Sequence, residues 1–358
     1  MLLFEPSPGG ARWSLGHRRM PTAVGTLEID SPSMDDLDEI LDLAGEDVIA
    51  YVLPQGGEVF RQPVSRLRPK DLERLEACVP FFPGRNRTTF AVARAAMERR
   101  PHNRHYLLCE TAFFAELPLP ERAYGLPYEL YEKGIRRYGG DGLCHQWVWE
   151  QVCARFVASR LLSVHLGDAP SLAAILEGRP VGTSMGFTPV EGIPSANGVG
   201  DLDPAIVLLL REKGMSVAEL EHLFMNGSGW SAMVGRPVGF ESLLRGQTPP
   251  LQAAREHLRA ALLKAIGAGV AALGSVDTLA FASRDVSSAL TLITELGHGM
   301  DIAGGSLLAV PVQAGDFWEL SPKGSELRIV ALEYERHAAL AGWVEKGKEN
   351  SKTEDRRG

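Results

Sequence analysis

Short apolar runs alternate along the chain with longer segments in which apolar residues recur every three or four positions. Apolar runs bounded by turn residues are typical of buried strands, and the second pattern is typical of amphipathic helices. The predicted strands cover residues 47–53, 105–110, 161–167, 277–283, 306–312 and 327–334. Strands separated by helices predict an α/β architecture in each half of the chain.

The clearest helical pattern runs over residues 251–273 and follows the pair Pro249-Pro250. Its apolar positions, three or four residues apart, predict one buried face. The end of the chain differs, because residues 345–358 offer no large apolar side chain to a core. Such a polar segment is predicted to be disordered.

One irregular segment, residues 181–204, holds five glycines, three prolines and three acidic residues. Glycine lets a backbone approach a ligand closely, and successive amides in such turns form concavities for phosphate or carboxylate oxygens. The segment ends in Asp201 and Asp203, just before Pro204. These two side chains could coordinate a hydrated Mg²⁺, or could cap a helix that begins near Pro204.

Length and composition narrow the class of protein. A chain of 358 residues that is 45% hydrophobic and 23% charged predicts two globular domains. Its net charge of −8 provides no basic field for nucleic acid or an anionic membrane, so small solutes or proteins are the expected partners. With neither a signal-peptide pattern nor an apolar run near the roughly 20 residues that span a bilayer, the chain is expected to be cytoplasmic.

The four cysteines form no CxxC pair. This spacing indicates neither a disulfide framework nor a zinc site. Reduced and mostly buried thiols are therefore expected at Cys78, Cys109, Cys144 and Cys153.

Several motifs together resemble the acetate kinase family, the acetate, propionate and butyrate kinases that move phosphate between ATP and a short-chain carboxylate. The resemblance rests first on "TSMGFTPVEG" followed by "GDLDP" in the glycine-rich segment. It extends to "CETAFFAELPLPERAYGLP", "RYGGDGLCH" and "HLGDAPSLAAILEGRPVGTSMG", and downstream to "AIGAGVAALGSVDTLAFAS". In all it covers about residues 1–340 in one register.

The resemblance implies the two-domain α/β fold of the acetate and sugar kinase, Hsp70 and actin superfamily, which is ribonuclease H-like. The implied domains are residues 1–146 and residues 147–344, with a disordered tail at 345–358. It also implies a nucleotide cleft between the domains and a homodimer made mainly by the C-terminal half.

Matched positions carry the family's site roles onto this chain. The resemblance implies catalytic roles for Glu110 and His145, and metal coordination by Asp201 and Glu326. The implied cofactors are ATP and Mg²⁺ if the protein is active. The positions implied to bind the cofactor are Arg12, His165, Gly167, Asp168, Thr183 and Ser184. Capping and core hydrogen bonds explain the matched polar residues equally well.

The sequence departs from the family pattern at positions that carry charge. Gly198 stands where the family has an arginine that clamps the transferring phosphoryl group, and Tyr51 stands near a second arginine. Glu110 replaces an aspartate and Phe114 a histidine. Asp141 replaces another histidine, which reverses the local charge, so repulsion of phosphate is expected there.

The nucleotide side departs from the pattern as well. Glu5 replaces an asparagine of the family's phosphate hairpin, and Pro6 and Pro8 remove backbone donors there. Asp168 brings an acidic group towards a phosphate site. The adenosine loop is replaced by "ASRDVSS", residues 282–288, which contains no glycine.

Two hypotheses follow. The lost donors predict a catalytically impaired relative of the acetate kinases, or a pseudoenzyme with a binding or regulatory role. The alternative is a working carboxylate kinase or related phosphotransferase with a rebuilt site. In that alternative, charge stabilisation would pass to other arginines, for which the candidates are Arg12, Arg85, Arg87 and Arg284.

Overall fold

A computed structural model describes residues 1–7, 9–16, 21–28, 36–45, 48–300, 312–314, 316–321 and 325–354. The chain forms two compact units. The first unit comprises Met1–Ala115, Pro127–Leu143 and Glu335–Gly358, and the second comprises Glu116–Leu126 and Cys144–Tyr334. The domain boundaries at residues 146 and 344 that the resemblance implies stay a prediction.

Strands and helices alternate along the described chain. The strands are β1 (Leu2–Ser7), β2 (Gly10–Gly16), β3 (Pro21–Glu28), β4 (Ile49–Leu53), β5 (Val64–Leu67), β6 (His105–Cys109), β7 (Arg160–Leu166), β8 (Ser171–Leu176), β9 (Arg179–Thr183), β10 (Thr278–Ser283), β11 (Val312–Ala314), β12 (Phe317–Glu319) and β13 (Arg328–Glu333). The helices are α1 (Asp36–Ala44), α2 (Leu72–Glu76), α3 (Pro83–Arg99), α4 (Leu119–Arg122), α5 (Tyr128–Glu132), α6 (Gly142–Cys153), α7 (Pro204–Glu212), α8 (Val217–Asn226), α9 (Gly229–Val234), α10 (Phe240–Arg245), α11 (Pro249–Leu273), α12 (Val286–Met300) and α13 (Arg336–Glu354).

The sheet of the first unit has the strand order β3-β2-β1-β4-β6-β5. Strands β1 to β3 form an antiparallel meander, whereas β1, β4 and β6 run parallel. Helices α1 and α3 cover one face, where residues such as Leu2, Leu37 and Ala93 are buried. Helix α13 covers the other face through Leu340 and Trp343. The parallel strands are therefore buried on both sides, which explains their continuous apolar runs.

The sheet of the second unit has the order β11-β12-β13-β10-β7-β8-β9. Strands β7 to β9 repeat the antiparallel meander, and β7, β10 and β13 run parallel. Both sheets therefore place a three-strand meander beside further parallel strands. This repeat confirms the two-part α/β fold that the resemblance implies.

Helix α11 packs its apolar stripe into the core of the second unit. Leu258, Leu262 and Ile266 are fully buried there, beside strand residues such as Leu162 and Phe281. Gly269 lies so close to Leu162 that a Cβ atom would come within 2.4 Å of its Cδ1. The helix predicted at residues 251–273 is confirmed, and its glycine serves this close packing.

Most strand predictions are confirmed. The runs at 47–53, 105–110, 161–167, 277–283 and 327–334 correspond to β4, β6, β7, β10 and β13. Of the run at 306–312, residues 306–311 lie outside the described part of the chain.

The prediction of a disordered tail from residue 345 is wrong for residues 345–354, which continue α13. Gly347 is buried against β5 and β6, and a Cβ atom there would lie 2.9 Å from a Val64 methyl group. Lys348 also forms an ion pair with Glu345 at 2.5 Å. Burial is predicted from large apolar side chains, and glycine has none. The sequence pattern therefore could not predict this contact. Residues 355–358 lie outside the described residues.

All four cysteines are free, as predicted; Cys78, Cys109 and Cys144 are buried and Cys153 is exposed. Burial raises the pKa of Cys78 to about 12 and that of Cys109 to about 11. Among the described residues, no helix combines the length and apolarity needed to cross a bilayer.

Candidate functional site

The glycine-rich segment, residues 181–204, folds back on itself in the second unit. Gly192 has a φ of +104°, and a Cβ atom there would lie 2.0 Å from the carbonyl oxygen of Ser184. The amide of Gly192 donates to Asp201 Oδ1 at 3.0 Å, and the amide of Asp201 donates to the carbonyl of Gly192 at 2.9 Å. The glycine at position 192 therefore allows the backbone to pass close to Ser184, and two hydrogen bonds with Asp201 hold it there.

The other aspartate of "GDLDP" caps a helix. Asp203 precedes α7, and its Oδ1 accepts a hydrogen bond from the amide of Ala205 at 2.8 Å. The capping interpretation is confirmed for Asp203. Asp201 is exposed and holds the Gly192 turn, so its predicted metal role stays a prediction.

Thr183 and Ser184, which the resemblance assigns to the cofactor, lie at the end of β9. Ser184 Oγ accepts from the amide of Leu172 at 2.9 Å, and Thr183 Oγ1 accepts from the amide of Met185 at 3.2 Å. Both hydroxyls thus fix the backbone where the sheet passes into the glycine-rich segment.

His145, on α6, is fully buried in the second unit. Its ring nitrogens lie 2.8 Å from Ser163 Oγ on β7 and 3.0 Å from Ser171 Oγ on β8. His165 lies on β7, two residues after Ser163. It is half-buried, and its ring packs edge-on against the ring of Tyr334, with 5.6 Å between the centroids. The two histidines therefore occupy different environments, one in the core and one partly exposed.

Asp168 follows β7 in the loop that contains Gly167. Its exposed carboxylate accepts a hydrogen bond from the amide of Phe240 at 2.7 Å. Phe240 begins α10, so Asp168 supplies the side-chain cap that Gly239 cannot provide. A carboxylate at a helix N-terminus occupies the position that a bound anion would take.

We expect Asp168→Ala to lower the free energy of unfolding by about 1 kcal/mol, because the amide of Phe240 loses its acceptor. Asp168→Asn retains an acceptor oxygen and should lose less than half of that amount. Urea unfolding followed by tryptophan fluorescence measures both variants. Equal losses for alanine and asparagine would show that charge, rather than capping, is the contribution of Asp168.

A second carboxylate caps helix α12. Asp285 Oδ1 accepts from the amide of Ser288 at 3.0 Å, and its other oxygen is bound by the hydroxyl of the same serine. These hydrogen bonds lower the pKa of Asp285 below its ordinary value. The neighbouring Arg284 is exposed. In the loop at residues 282–288, the carboxylate of Asp285 therefore caps the N-terminus of α12.

Gly198, which stands in place of the family's arginine, is buried. Its amide donates to Ser195 Oγ at 2.6 Å, and a Cβ atom at this position would lie at the same distance from that oxygen. A side chain as long as arginine cannot enter this turn without moving Ser195. Any side chain at position 198 would therefore require the Ser195 hydroxyl to move away from the Gly198 amide.

The first unit gathers three acidic residues around Arg336, the first residue of α13. Arg336 donates to Glu5 on β1 through Nε and to Glu110 Oε1 through a terminal nitrogen at 2.7 Å. Asp141 Oδ1 lies 3.9 Å from the remaining terminal nitrogen. The side chain of Glu110 is only 5% exposed, and its Oε2 accepts from the amide of Leu143 at 3.3 Å. We call Glu5, Glu110, Asp141 and Arg336 the Arg336 cluster.

One guanidinium shared among three carboxylates affects their pKa values unequally. Burial alone would raise the pKa of Glu5, but the charges of Arg336 and Arg12 outweigh it and hold that pKa below its ordinary value. Burial raises the pKa of Glu110 above its ordinary value, and the negative charge of Asp141 adds to this effect. Arg336 only partly offsets the shift at Glu110, although the two side chains are in contact.

Arg12 and Arg85 add positive charge to the same unit. Arg12 is exposed on β2, directly opposite Glu5 in the β1–β2 register. Arg85 is half-buried in the first turn of α3, a helix that packs against β1, β2 and β4. Burial, together with the like charge of Arg12, lowers the pKa of Arg85 to about 10. At neutral pH Arg85 therefore remains charged, and the charge of Arg12 repels it.

The aromatic replacements in this unit lie in its core. Tyr51, near the position of the family's second arginine, is fully buried, and its hydroxyl lies 2.8 Å from His105 Nδ1. Phe114 is buried against Gly139, where a Cβ atom would meet its ring at 2.5 Å. At both positions, an aromatic ring packed in the core stands where the family pattern has a basic side chain.

The principal residue that the sequence analysis missed is Arg336. It lies three positions after the end of the buried strand β13 in "RIVALEYER", and the ends of strands often carry site residues. The stronger signal was the pair of replacements at Glu5 and Asp141, since two added negative charges in the unit that already holds Glu110 require a cation.

The structure does not bring the predicted metal ligands into a site. Glu326 is exposed in the segment before β13. Across the part of the chain that the structure describes, no three His, Cys, Asp or Glu side chains form a group that could hold a metal ion. The metal roles of Asp201 and Glu326 stay predictions.

The chain is similar to known proteins over most of its length. The sequence model of the acetokinase family matches residues 28–295. The acetate kinase of Desulfotalea psychrophila is 34% identical over 259 residues, which are 69% of this chain and 62% of that protein. That of Sulfurimonas denitrificans is 32% identical over 241 residues, 66% of this chain and 61% of that protein. These matches thus span less than two thirds of the relatives' length.

Solved structures show the same fold. The acetate kinase of Porphyromonas gingivalis superposes with a TM-score of 0.77 and 21% identity, covering 97% of this chain and 98% of that one. A propionate kinase from Francisella tularensis gives a TM-score of 0.79 and 19% identity, covering 95% and 97%. The resemblance in the sequence motifs is thereby confirmed, and the chain belongs to the acetokinase family.

Proposed function

We propose that the chain is an ATP-dependent phosphotransferase that phosphorylates a short-chain carboxylate from a rebuilt site in its first unit. The observation that carries this proposal is a group of arginines in the first unit: Arg12 lies opposite Glu5, and its charge acts on Arg85, while Arg336 binds Glu5 and the buried Glu110. Phosphoryl transfer depends chiefly on positioned positive charge, and Arg12 and Arg85 can supply it in place of the two arginines that the family pattern has lost.

Family membership supports this alternative better than the expectation of a catalytically impaired protein. The matched relatives are named acetate kinases. Loss of the family's own donors therefore need not mean loss of transfer, provided that other cations have replaced them. Acetate, propionate and butyrate are the acceptors to test, because the named relatives act on acetate or propionate.

The arginines of the proposed site differ in their surroundings. Arg12 and Arg85 repel one another, so a phosphate or carboxylate between them would relieve their repulsion. Arg336 is already bound by Glu5 and Glu110, which fix its orientation. In this proposal, Arg12 and Arg85 bind the anion, and Glu110 is a positioning residue for Arg336.

The proposed cofactors are ATP and Mg²⁺. The described residues form no ready metal site, so Mg²⁺ would arrive on the phosphates of ATP, as it commonly does in kinases. Use of ATP is consistent with a cytoplasmic location.

A second candidate function is a binding or regulatory protein without transfer activity. Asp168 and Asp285 favour it, because each places a carboxylate on a helix N-terminus of the second unit. Both aspartates would repel a nucleotide phosphate brought to these helix ends. Under this candidate, the protein would bind a ligand without consuming ATP.

The test is formation of acyl phosphate, trapped as hydroxamate, from each of the three acids with Mg-ATP. We expect Arg85→Ala to lower kcat/KM by about 10² to 10³-fold, the usual effect of removing one donor to transition-state charge. Arg94→Ala is the matched control, since Arg94 is exposed on the same helix, and it should leave the rate unchanged.

Wild-type protein that forms no more acyl phosphate than a heat-inactivated sample would contradict the transferase proposal and support the second candidate. Activity that survives Arg85→Ala unchanged would instead exclude the rebuilt site described here. Protein purified from a host lacking its own acetate kinase removes the contaminating activity.

A further inference from the structure

A serine and a histidine from distant parts of the chain meet in the first unit. Ser14 lies half-buried on β2, and its Oγ is 2.7 Å from Nδ1 of His337, the second residue of α13. His337 is only 4% exposed. Its other ring nitrogen, Nε2, is buried and has no hydrogen-bond partner among the described residues. The imidazole therefore presents Nδ1 to a serine hydroxyl and leaves Nε2 without a hydrogen bond.

The surroundings of His337 suit a general base. Burial holds the pKa of His337 below its ordinary value, so the ring is neutral at neutral pH and can accept a proton. The carbonyl of Gly16 and the carboxylate of Glu5 act in the opposite sense, because both stabilise the protonated ring. A neutral imidazole that contacts a serine hydroxyl, with a carboxylate near the ring, is the arrangement that activates a serine as a nucleophile.

Ser14 also lies beside a residue of the proposed anion site. Arg12 is two positions earlier on β2, so the two side chains stand on the same face of the sheet, about 7 Å apart along the strand. The intervening Trp13 packs against the core on the opposite face. A terminal phosphoryl group bound by Arg12 and Arg85 would therefore lie within reach of Ser14 Oγ.

We propose that the protein phosphorylates its own Ser14, with His337 as the general base. The donor is a phosphoric anhydride, either a nucleoside triphosphate or an acyl phosphate, and for the former the inference rests on the proposed function. Ser14 Oγ forms a bond to the terminal phosphorus and gives its proton to His337 Nδ1. The bond between that phosphorus and the bridging oxygen breaks, which releases a nucleoside diphosphate or a carboxylate and leaves phosphoserine.

The experiment is intact-mass spectrometry of the full chain after incubation with Mg-ATP or, separately, with acetyl phosphate. Peptide fragmentation then locates the phosphoryl group. Ser14→Ala removes the acceptor, and His337→Asn keeps a hydrogen-bonding atom near the position of Nδ1 but has no basic nitrogen. Ser65→Ala is the matched control, because Ser65 is also half-buried on a strand of the same sheet.

We expect the wild type and Ser65→Ala to gain one phosphoryl group on Ser14, and Ser14→Ala to gain none. His337→Asn should be labelled at least about 10²-fold more slowly, the usual loss when a general base is removed. Thermal unfolding shows whether each variant is folded, and the position of the label in the wild type does not depend on any variant.

Acyl phosphate formation, assayed in parallel as hydroxamate, separates this inference from the proposed function. A wild type that forms acyl phosphate but carries no label on Ser14 would overturn the inference and leave the proposed function intact. A label from acetyl phosphate alone, in protein that is inactive with ATP, would support the Ser14 site and contradict the transferase. Absence of label with both donors, equal labelling of heat-denatured protein, or full-rate labelling of folded His337→Asn would overturn the inference.

Discussion

Replacing Arg336 with methionine should lower the free energy of unfolding at about pH 8 by about 3 kcal/mol, as expected when a largely buried ion pair loses one partner. The substitution leaves Glu5, Glu110 and Asp141 together without the guanidinium that contacts the first two. The side chain of Glu110 is only 5% exposed, so water cannot replace the lost contact. Urea unfolding followed by tryptophan fluorescence measures the loss.

The loss in Arg336→Met should depend on pH with a definite sign. The pKa of Glu5 is lowered in the folded protein, so Glu5 stabilises the fold above its ordinary pKa and loses this contribution as the pH falls. The pKa of Glu110 is raised, so its contribution is present at low pH and is lost as the pH rises. Without Arg336, both carboxyls favour the protonated form. The deficit should therefore shrink between about pH 8 and pH 4.

Two further variants make this prediction specific to the Arg336 cluster. Adding Glu110→Gln to Arg336→Met removes one uncompensated charge and should restore part of the stability at about pH 8. Arg61→Met removes a half-exposed arginine that pairs with Glu58 at 2.7 Å, and it should cost less than about 1 kcal/mol. A deficit of the same size at both ends of the pH range would contradict the electrostatic explanation.

Replacing Gly192 with alanine should destabilise the protein by about 3 kcal/mol or more, since backbone strain and steric overlap each cost about 1 to 3 kcal/mol. The φ of +104° is unfavourable for any residue with a Cβ atom, and that atom would overlap the carbonyl oxygen of Ser184 at 2.0 Å. The same unfolding measurement gives the loss.

Gly214→Ala is the control that separates the two causes. Gly214 has a similar φ of +98°, but no atom lies within 4 Å of the position where its Cβ would stand. Its substitution should cost only the backbone part, about 1 kcal/mol. Similar losses at both positions would show that the crossing of Ser184 and Gly192 contributes little to stability.

The sequence was most informative where a single apolar pattern determines the structure. Strands β4 and β10 are buried on both faces, so their unbroken apolar runs identified them. Helix α11 was equally clear, because one face of a 25-residue helix enters the core. In each case the residue types that predict the element are also those that stabilise it.

The site was less predictable, because its geometry depends on contacts between distant parts of the chain. Motif matching identified Glu110 and Asp168 but could not show that one binds Arg336 and the other caps α10. Comparison with the family motifs identified the donors that this chain has lost. It could not identify Arg336 as a new cation, because Arg336 lies outside the motifs compared.

The first unit draws on three separated pieces of chain, with a consequence for how the protein is made. Glu5 and Arg336 lie 331 positions apart, so nearly the whole chain must be synthesised before this ion pair can form. During translation, Glu5, Glu110 and Asp141 leave the ribosome well before the arginine that compensates their charge. The nascent first unit therefore lacks both its central cation and the helix that covers one face of its sheet. Its completion has to follow synthesis of the second unit, whichever unit begins to fold first.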